Sequence, residues 1–140
     1  IGEFSGLNSS YDTEWQGWWL GLDTRFNVNN QLWLELFFAA YPDVDFDAEA
    51  NWNLRNDLAH PVSFTQNANG DGYHWRLGIA YELTSRWSLS SHYERYSFSA
   101  KEGVDTTFFS DTSKSPENMS LNNVSWDSEA FSLRMSYRFR

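Results

Sequence analysis

The chain has 140 residues, a formal net charge of -9 and no cysteine. That charge argues against nucleic acid as a partner, since phosphate binding needs a basic surface. The lack of cysteine excludes a disulfide framework and a thiolate metal site. Aromatic residues make up 19% of the chain, 8 of them Trp, against a mean hydropathy of -0.61. So many rings in so polar a chain must be gathered in bands rather than in one large core. No run of 18 apolar residues occurs, so no transmembrane helix is predicted, which leaves membrane β-barrels open. The sequence opens on Ile1 rather than a start methionine and reads as a mature chain or as a piece of a longer one.

In chain order, residues 1–14 read as a polar loop in which Ile1 to Leu7 is a strand remnant. A hairpin is predicted over 15–41. Its first strand alternates Trp18, Leu20, Leu22, Phe26 and Val28 against Gly17, Trp19, Gly21, Asp23, Arg25 and Asn27. Asn27 to Gln31 has the composition of a tight turn. The return strand sets Leu32, Leu34, Leu36, Phe38 and Ala40 against Trp33, Glu35, Phe37, Ala39 and Tyr41. Residues 42–72, rich in Asp, Asn and Ala, are predicted as a long outer loop.

A second hairpin spans 73–100. Tyr73, Trp75, Leu77, Ile79, Tyr81 and Leu83 share one face, and His74, Arg76, Gly78, Ala80 and Glu82 the other. Pairing Leu83 with Trp87 sets a register that places Arg76 opposite Glu94, and an ion pair is predicted there. Residues 101–127 form the second predicted outer loop. The last strand, 128–140, alternates Phe131, Leu133, Met135, Tyr137 and Phe139 with Ser132, Arg134, Ser136 and Arg138. A strand of about ten residues with one apolar and one polar face, ending in an aromatic, is the pattern of an outer-membrane strand.

The expected fold is therefore all-β, an antiparallel up-and-down transmembrane β-barrel in the bacterial outer membrane. Short and long connections alternate, and all three prolines, Pro42, Pro61 and Pro116, fall outside the predicted strands. Five strands do not close a ring, because an open edge in lipid leaves backbone groups unsatisfied. The missing strands come from Ile1 to Leu7, from further N-terminal sequence or from another chain. The other expected partners are the lipid bilayer and lipopolysaccharide.

Four stretches carry a resemblance: Trp19-Leu20-Gly21-Leu22, Trp75-Arg76-Leu77-Gly78-Ile79-Ala80-Tyr81, Tyr93-Glu94-Arg95-Tyr96 and Met135-Ser136-Tyr137-Arg138-Phe139. In pattern and spacing they resemble the C-terminal half of the omptins, outer-membrane proteases on a ten-stranded barrel. The resemblance implies an Asp-His couple, written Asp-x-His, in the loop after the first hairpin. Here that loop reads Asp57-Leu58-Ala59-His60, one residue longer. On a strand, a spacing of three puts the two side chains on opposite faces. Arg140 also departs from the usual terminal aromatic.

Several groups are candidates for a site. Asp23, Arg25, Glu35, Arg76, Glu82, Glu94, Arg134 and Arg138 form a lumen charge set, either a pore lining or an ion-pair network filling a narrow barrel. His74 and His92 point the same way on adjacent strands, in register to lie diagonally near one another. They suit a metal, a proton relay or simple hydrogen bonding. Asp43, Asp45, Asp47 and Glu49 continue the lumen phase of the preceding strand, as a weak calcium site or a solvated loop. Trp15, Trp18, Tyr73, Trp75, Trp87 and Tyr93 are candidates for interfacial girdles. No phosphate loop, nucleophile elbow or zinc motif occurs, and no cofactor is expected. Three functions follow: an outer-membrane barrel with a surface or small-pore role, an omptin-like endopeptidase, or a soluble β-barrel with the apolar face inside.

Overall fold

A computed structural model describes residues 6–139. It is all-β, with five strands and no helix among the described residues: β1 Ser10–Asn29, β2 Leu32–Asn51, β3 Phe64–Glu82, β4 Trp87–Thr107 and β5 Glu117–Tyr137. They form one antiparallel up-and-down sheet in sequence order, with β1 and β5 at its edges. The tight turns are built by side chains that accept from the backbone. Asn29 Oδ1 takes the N–H groups of Gln31 and Leu32 at 2.9 and 3.0 Å, and Thr84 Oγ1 takes those of Arg86 and Trp87 at 3.2 and 3.1 Å.

The strands are much longer than the alternation suggested. Segments 42–72 and 101–127, predicted as loops, are largely strand, and the connections shrink to residues 52–63 and 108–116. An isolated bridge joins Leu58 to Phe109, tying one connection to the other. Buried Ser63 fastens the first: its Oγ donates to the Ala59 carbonyl at 2.9 Å and accepts from the Trp52 N–H at 2.9 Å. Of the proposed sixth strand, residues 1–5 lie outside the described ones, and Gly6 and Leu7 are not strand.

The pairing register shifts by one residue inside two of the strands, which moves the side chains beyond the shift to the opposite face. Gly21 lies against Ala39, whereas Gly17, four residues earlier on β1, lies against Val44, five residues further on β2. One extra residue on β2 near Pro42 is a β-bulge, a position where a proline is tolerated within a sheet. The same happens on β4, where Gly70 abuts Ala100 but Gly103 abuts Ala68. Glu102, between them, takes the left-handed φ of 57°.

Two compact units result. The loop-end unit comprises the chain up to Gly17 with Asp43–Gly70 and Ser99–Val124. Its core is Phe46, Ala48, Ala68 and Ala100, packed by Trp15, Leu121 and Val124. Phe46, 1% exposed, meets the Trp15 ring at 4.7 Å, so Trp15, a candidate for the girdle, packs half-buried against this core. The exposed face of this unit is polar: Asp43, Asp45, Asp47, Glu49, Asn67 and Asn69.

The turn-end unit comprises Trp18–Pro42, Asp71–Phe98 and the chain from Ser125. Here the exposed face is apolar, with Leu20 at 74%, Leu22 at 66%, Leu133 at 68% and Phe131 at 72%, beside Phe26, Leu36, Phe38, Leu77 and Ile79. Its opposite face carries a row of rings across all five strands. Trp19, Phe37, His74, Tyr96 and Trp126 follow one another at centroid distances of 6.3, 4.8, 3.7 and 6.0 Å.

Candidate functional site: a polar recess in the turn-end unit

On the same face as the ring row lies a recess of about 680 Å³ lined by Arg25, Glu35, Arg76, Glu82, His92, Glu94, Arg134 and Arg138, with Ser88, Ser90, Ser132 and Ser136. The alternation that turns Leu and Phe outward on each strand turns these side chains into the recess. Asp23 joins them by pairing with Arg76 at 3.5 Å. The predicted charge set is thus brought together on one face.

The pairing inside it differs from expectation. The strand register is the predicted one: the Leu83 N–H donates to the Trp87 carbonyl at 3.0 Å, and His74 stacks on Tyr96. Arg76 nevertheless reaches across β2 to Asp23 and lies over the Phe37 ring at 5.5 Å, and Glu94 pairs with His74 Nε2 at 3.4 Å. Directly opposite residues need not bond when long side chains reach diagonal neighbours. The two histidines take different carboxylates. His92 Nε2 is bound to Glu35 at 2.6 Å, and the other Glu35 oxygen faces Arg25 at 3.5 Å. Gly78 makes this possible, because a Cβ there would collide with the His92 ring. The sequence offers each histidine a carboxylate partner but does not say which one.

The acidic run does not enter the recess. The slip in β2 exchanges its faces, so Val44, Phe46, Ala48 and Ala50 are buried and Asp43, Asp45, Asp47 and Glu49 exposed in the loop-end unit. Asp45 accepts from the Asn69 amide at 2.6 Å, and Asp47 accepts from that of Asn67. A groove of about 660 Å³ opens beside Asp12, Glu14, Asp47 and Glu49. No group of three or more His, Cys, Asp or Glu that could hold a metal ion is found among the described residues.

In the connections, Asp57 is gripped by the Arg55 guanidinium at 2.8 and 2.7 Å, which holds its carboxyl down at about 2. His60 Nδ1 faces Asn51 Oδ1 at 2.8 Å. The two residues set beside the omptin couple are therefore each engaged elsewhere. Asp111 is lowered by hydrogen bonds from the Ser113 hydroxyl and N–H. Tyr11 is raised by burial and then by Asp105, to which it is linked through Gln66 at 2.7 and 2.7 Å.

Residues 2–139 match the model of a family described as Protochlamydia outer membrane protein. The chain belongs to that family. No curated protein and no solved structure matches it. A Protochlamydia outer membrane protein family member resides in the bacterial outer membrane, and the fold agrees. Five antiparallel up-and-down strands with apolar residues exposed on one face suit a part of a barrel that crosses lipid by strands.

Proposed function

We propose that the chain is a sector of an integral outer-membrane β-barrel with a surface or small-pore role rather than a catalytic one. Its turn-end unit lies in lipid and its loop-end unit in water. The observation that carries this reading is the exposed apolar face of the turn-end unit. Leu20, Leu22, Phe26, Leu77, Ile79, Phe131 and Leu133 would form a patch that water does not tolerate, whereas the polar residues line the recess. A soluble barrel requires the reverse.

Two ring clusters suit the membrane interfaces. Trp87, Tyr137 and Phe139 gather at the turns, with centroids 4.8 and 4.8 Å apart, and Trp75 and Tyr93 meet at 5.3 Å further along. The lipid bilayer and lipopolysaccharide are then its immediate surroundings. From the omptin resemblance we carry over a ten-stranded type of scaffold and not the protease, given the engagements of Asp57 and His60.

The test is extraction of the protein from outer membranes followed by electrophoresis with and without boiling. A heat-modifiable, detergent-dependent β-rich species is expected. A folded monomer in plain buffer would reverse the assigned faces. For the pore role, reconstitution in planar bilayers should give a conductance whose ion preference shifts in Arg76→Gln.

A further inference from the structure

The sheet ends on two open edges, and one of them specifies its neighbour. We infer that the free edge of β5 pairs with an antiparallel strand carrying carboxylates four residues apart on its inward face, and that this strand belongs to a set with an odd number of strands. The inference rests on the barrel reading above.

The strand number comes from direction. Five alternating strands leave β1 and β5 running the same way. A closed antiparallel bacterial barrel has an even count, so what completes it is odd. A second five-stranded copy would also be odd, but in the same orientation it would lay its β1 beside β5 in parallel, so it fails on direction rather than on count. Leaving β5 unpaired in hydrocarbon is not an alternative, because its outward N–H and C=O groups would have no partner.

Charge supplies the chemistry. Within the recess Arg25 has Glu35, Arg76 has Asp23, His92 has Glu35 and His74 has Glu94. Among the described residues, Arg134 and Arg138 have no carboxylate within 4.0 Å. The strand on their covered side, β4, faces the recess with Ser88, Ser90, His92 and Glu94, and Glu94 is the partner of His74. Glu82 stands on β3, two strand spacings or roughly 9.5 Å away. The two arginines share a face and are four residues apart, so cross-strand partners on the open side are also four apart. The ring row ends at the same edge on Trp126, 45% exposed, which the same neighbour would cover.

The experiment uses the whole protein in outer membranes. Arg134→Lys and Arg138→Lys each place an amine where the guanidinium stood. A zero-length carbodiimide then joins that amine to an adjacent carboxylate as an amide, and peptide mass spectrometry reads the junction. Arg25→Lys is the control and should couple to Glu35. The expected result is a link from position 134 or 138 to an Asp or Glu outside residues 1–140. A mixture of heavy-nitrogen-labelled and unlabelled protein tells links between copies from links within one. A link between copies that falls inside residues 1–140 would identify a second copy as the neighbour and overturn the inference. So would a link to Glu82 or Glu94 of the same copy, or no link at either position while the control couples. Protein missing from the outer-membrane fraction, with the control silent, would overturn the barrel reading and the inference with it.

Discussion

The two units of this sheet are built from the same five strands and have opposite polarity. In the loop-end unit the buried side is Phe46, Ala48, Ala68 and Ala100 and the exposed side is Asp, Glu and Asn, as in a sheet that stands in water. In the turn-end unit one side is Leu, Phe and Ile, all exposed, and the other side holds arginines, carboxylates and serines around the recess. An extra residue in a strand exchanges its faces, because side chains alternate with a period of two. The slips near Pro42 and Glu102 achieve that on β2 and β4.

Removing a core ring tests the water-type unit and should have the largest effect. Phe46→Ala is expected to cost about 3–5 kcal/mol, read from denaturant unfolding in detergent or liposomes. Little change would mean that the cluster around Trp15 is not a core. Next comes a charge on the lipid-type face: Leu22→Arg should cost about 2–4 kcal/mol in bilayers if it lies near the midplane. Glu49→Arg, on the exposed face of the other unit, should stay within about 0.5 kcal/mol. Equal penalties at the two positions would abolish the contrast between the units.

A smaller effect belongs to the recess. Glu35→Gln removes the acceptor shared by His92 and Arg25 and should cost about 1 kcal/mol, somewhat below the usual range for a charged partner because the site is partly solvated. A double-mutant cycle with His92→Ala measures the coupling directly, and a coupling near zero would mean that the two groups are solvated separately.

The smallest effect lies in the connection between β2 and β3. Asp57 titrates at about 2 rather than 3.8. A depressed carboxyl stabilises the fold above its unfolded value, so this contribution is complete above pH 3.8 and fades as pH falls through about 2. In Arg55→Gln the Asp57 midpoint, followed by carboxyl carbon NMR, should move back up toward 3.8. An unmoved midpoint would mean that another group holds it.

Much of this architecture is legible in the residues. Strict alternation over Phe131–Phe139 and Leu32–Tyr41 names both faces of those strands, and the tight turns follow from Asn29 and Thr84. The recess residues share a face because each strand alternates in phase, so their grouping follows from register. What alternation could not show is its own interruption. Asp43 to Ala50 alternates as cleanly as the strand before it and in the same phase along the chain, yet its apolar positions are buried where those of Leu34 to Phe38 are exposed. The sequence carries no mark of that slip beyond Pro42, so alternation alone assigns the acidic residues to the face of the recess.

By itself, then, the sequence determined the class of fold, the outer-membrane setting and which residues of the turn-end strands share the apolar face and which the recess, because a period of two is a local property of the backbone. Only the tertiary structure decided which carboxylate each arginine and histidine takes, where the faces exchange and that Trp15 packs against a core. Those depend on side chains reaching across neighbouring strands and on one extra residue in a bulge, which neighbours along the chain do not encode.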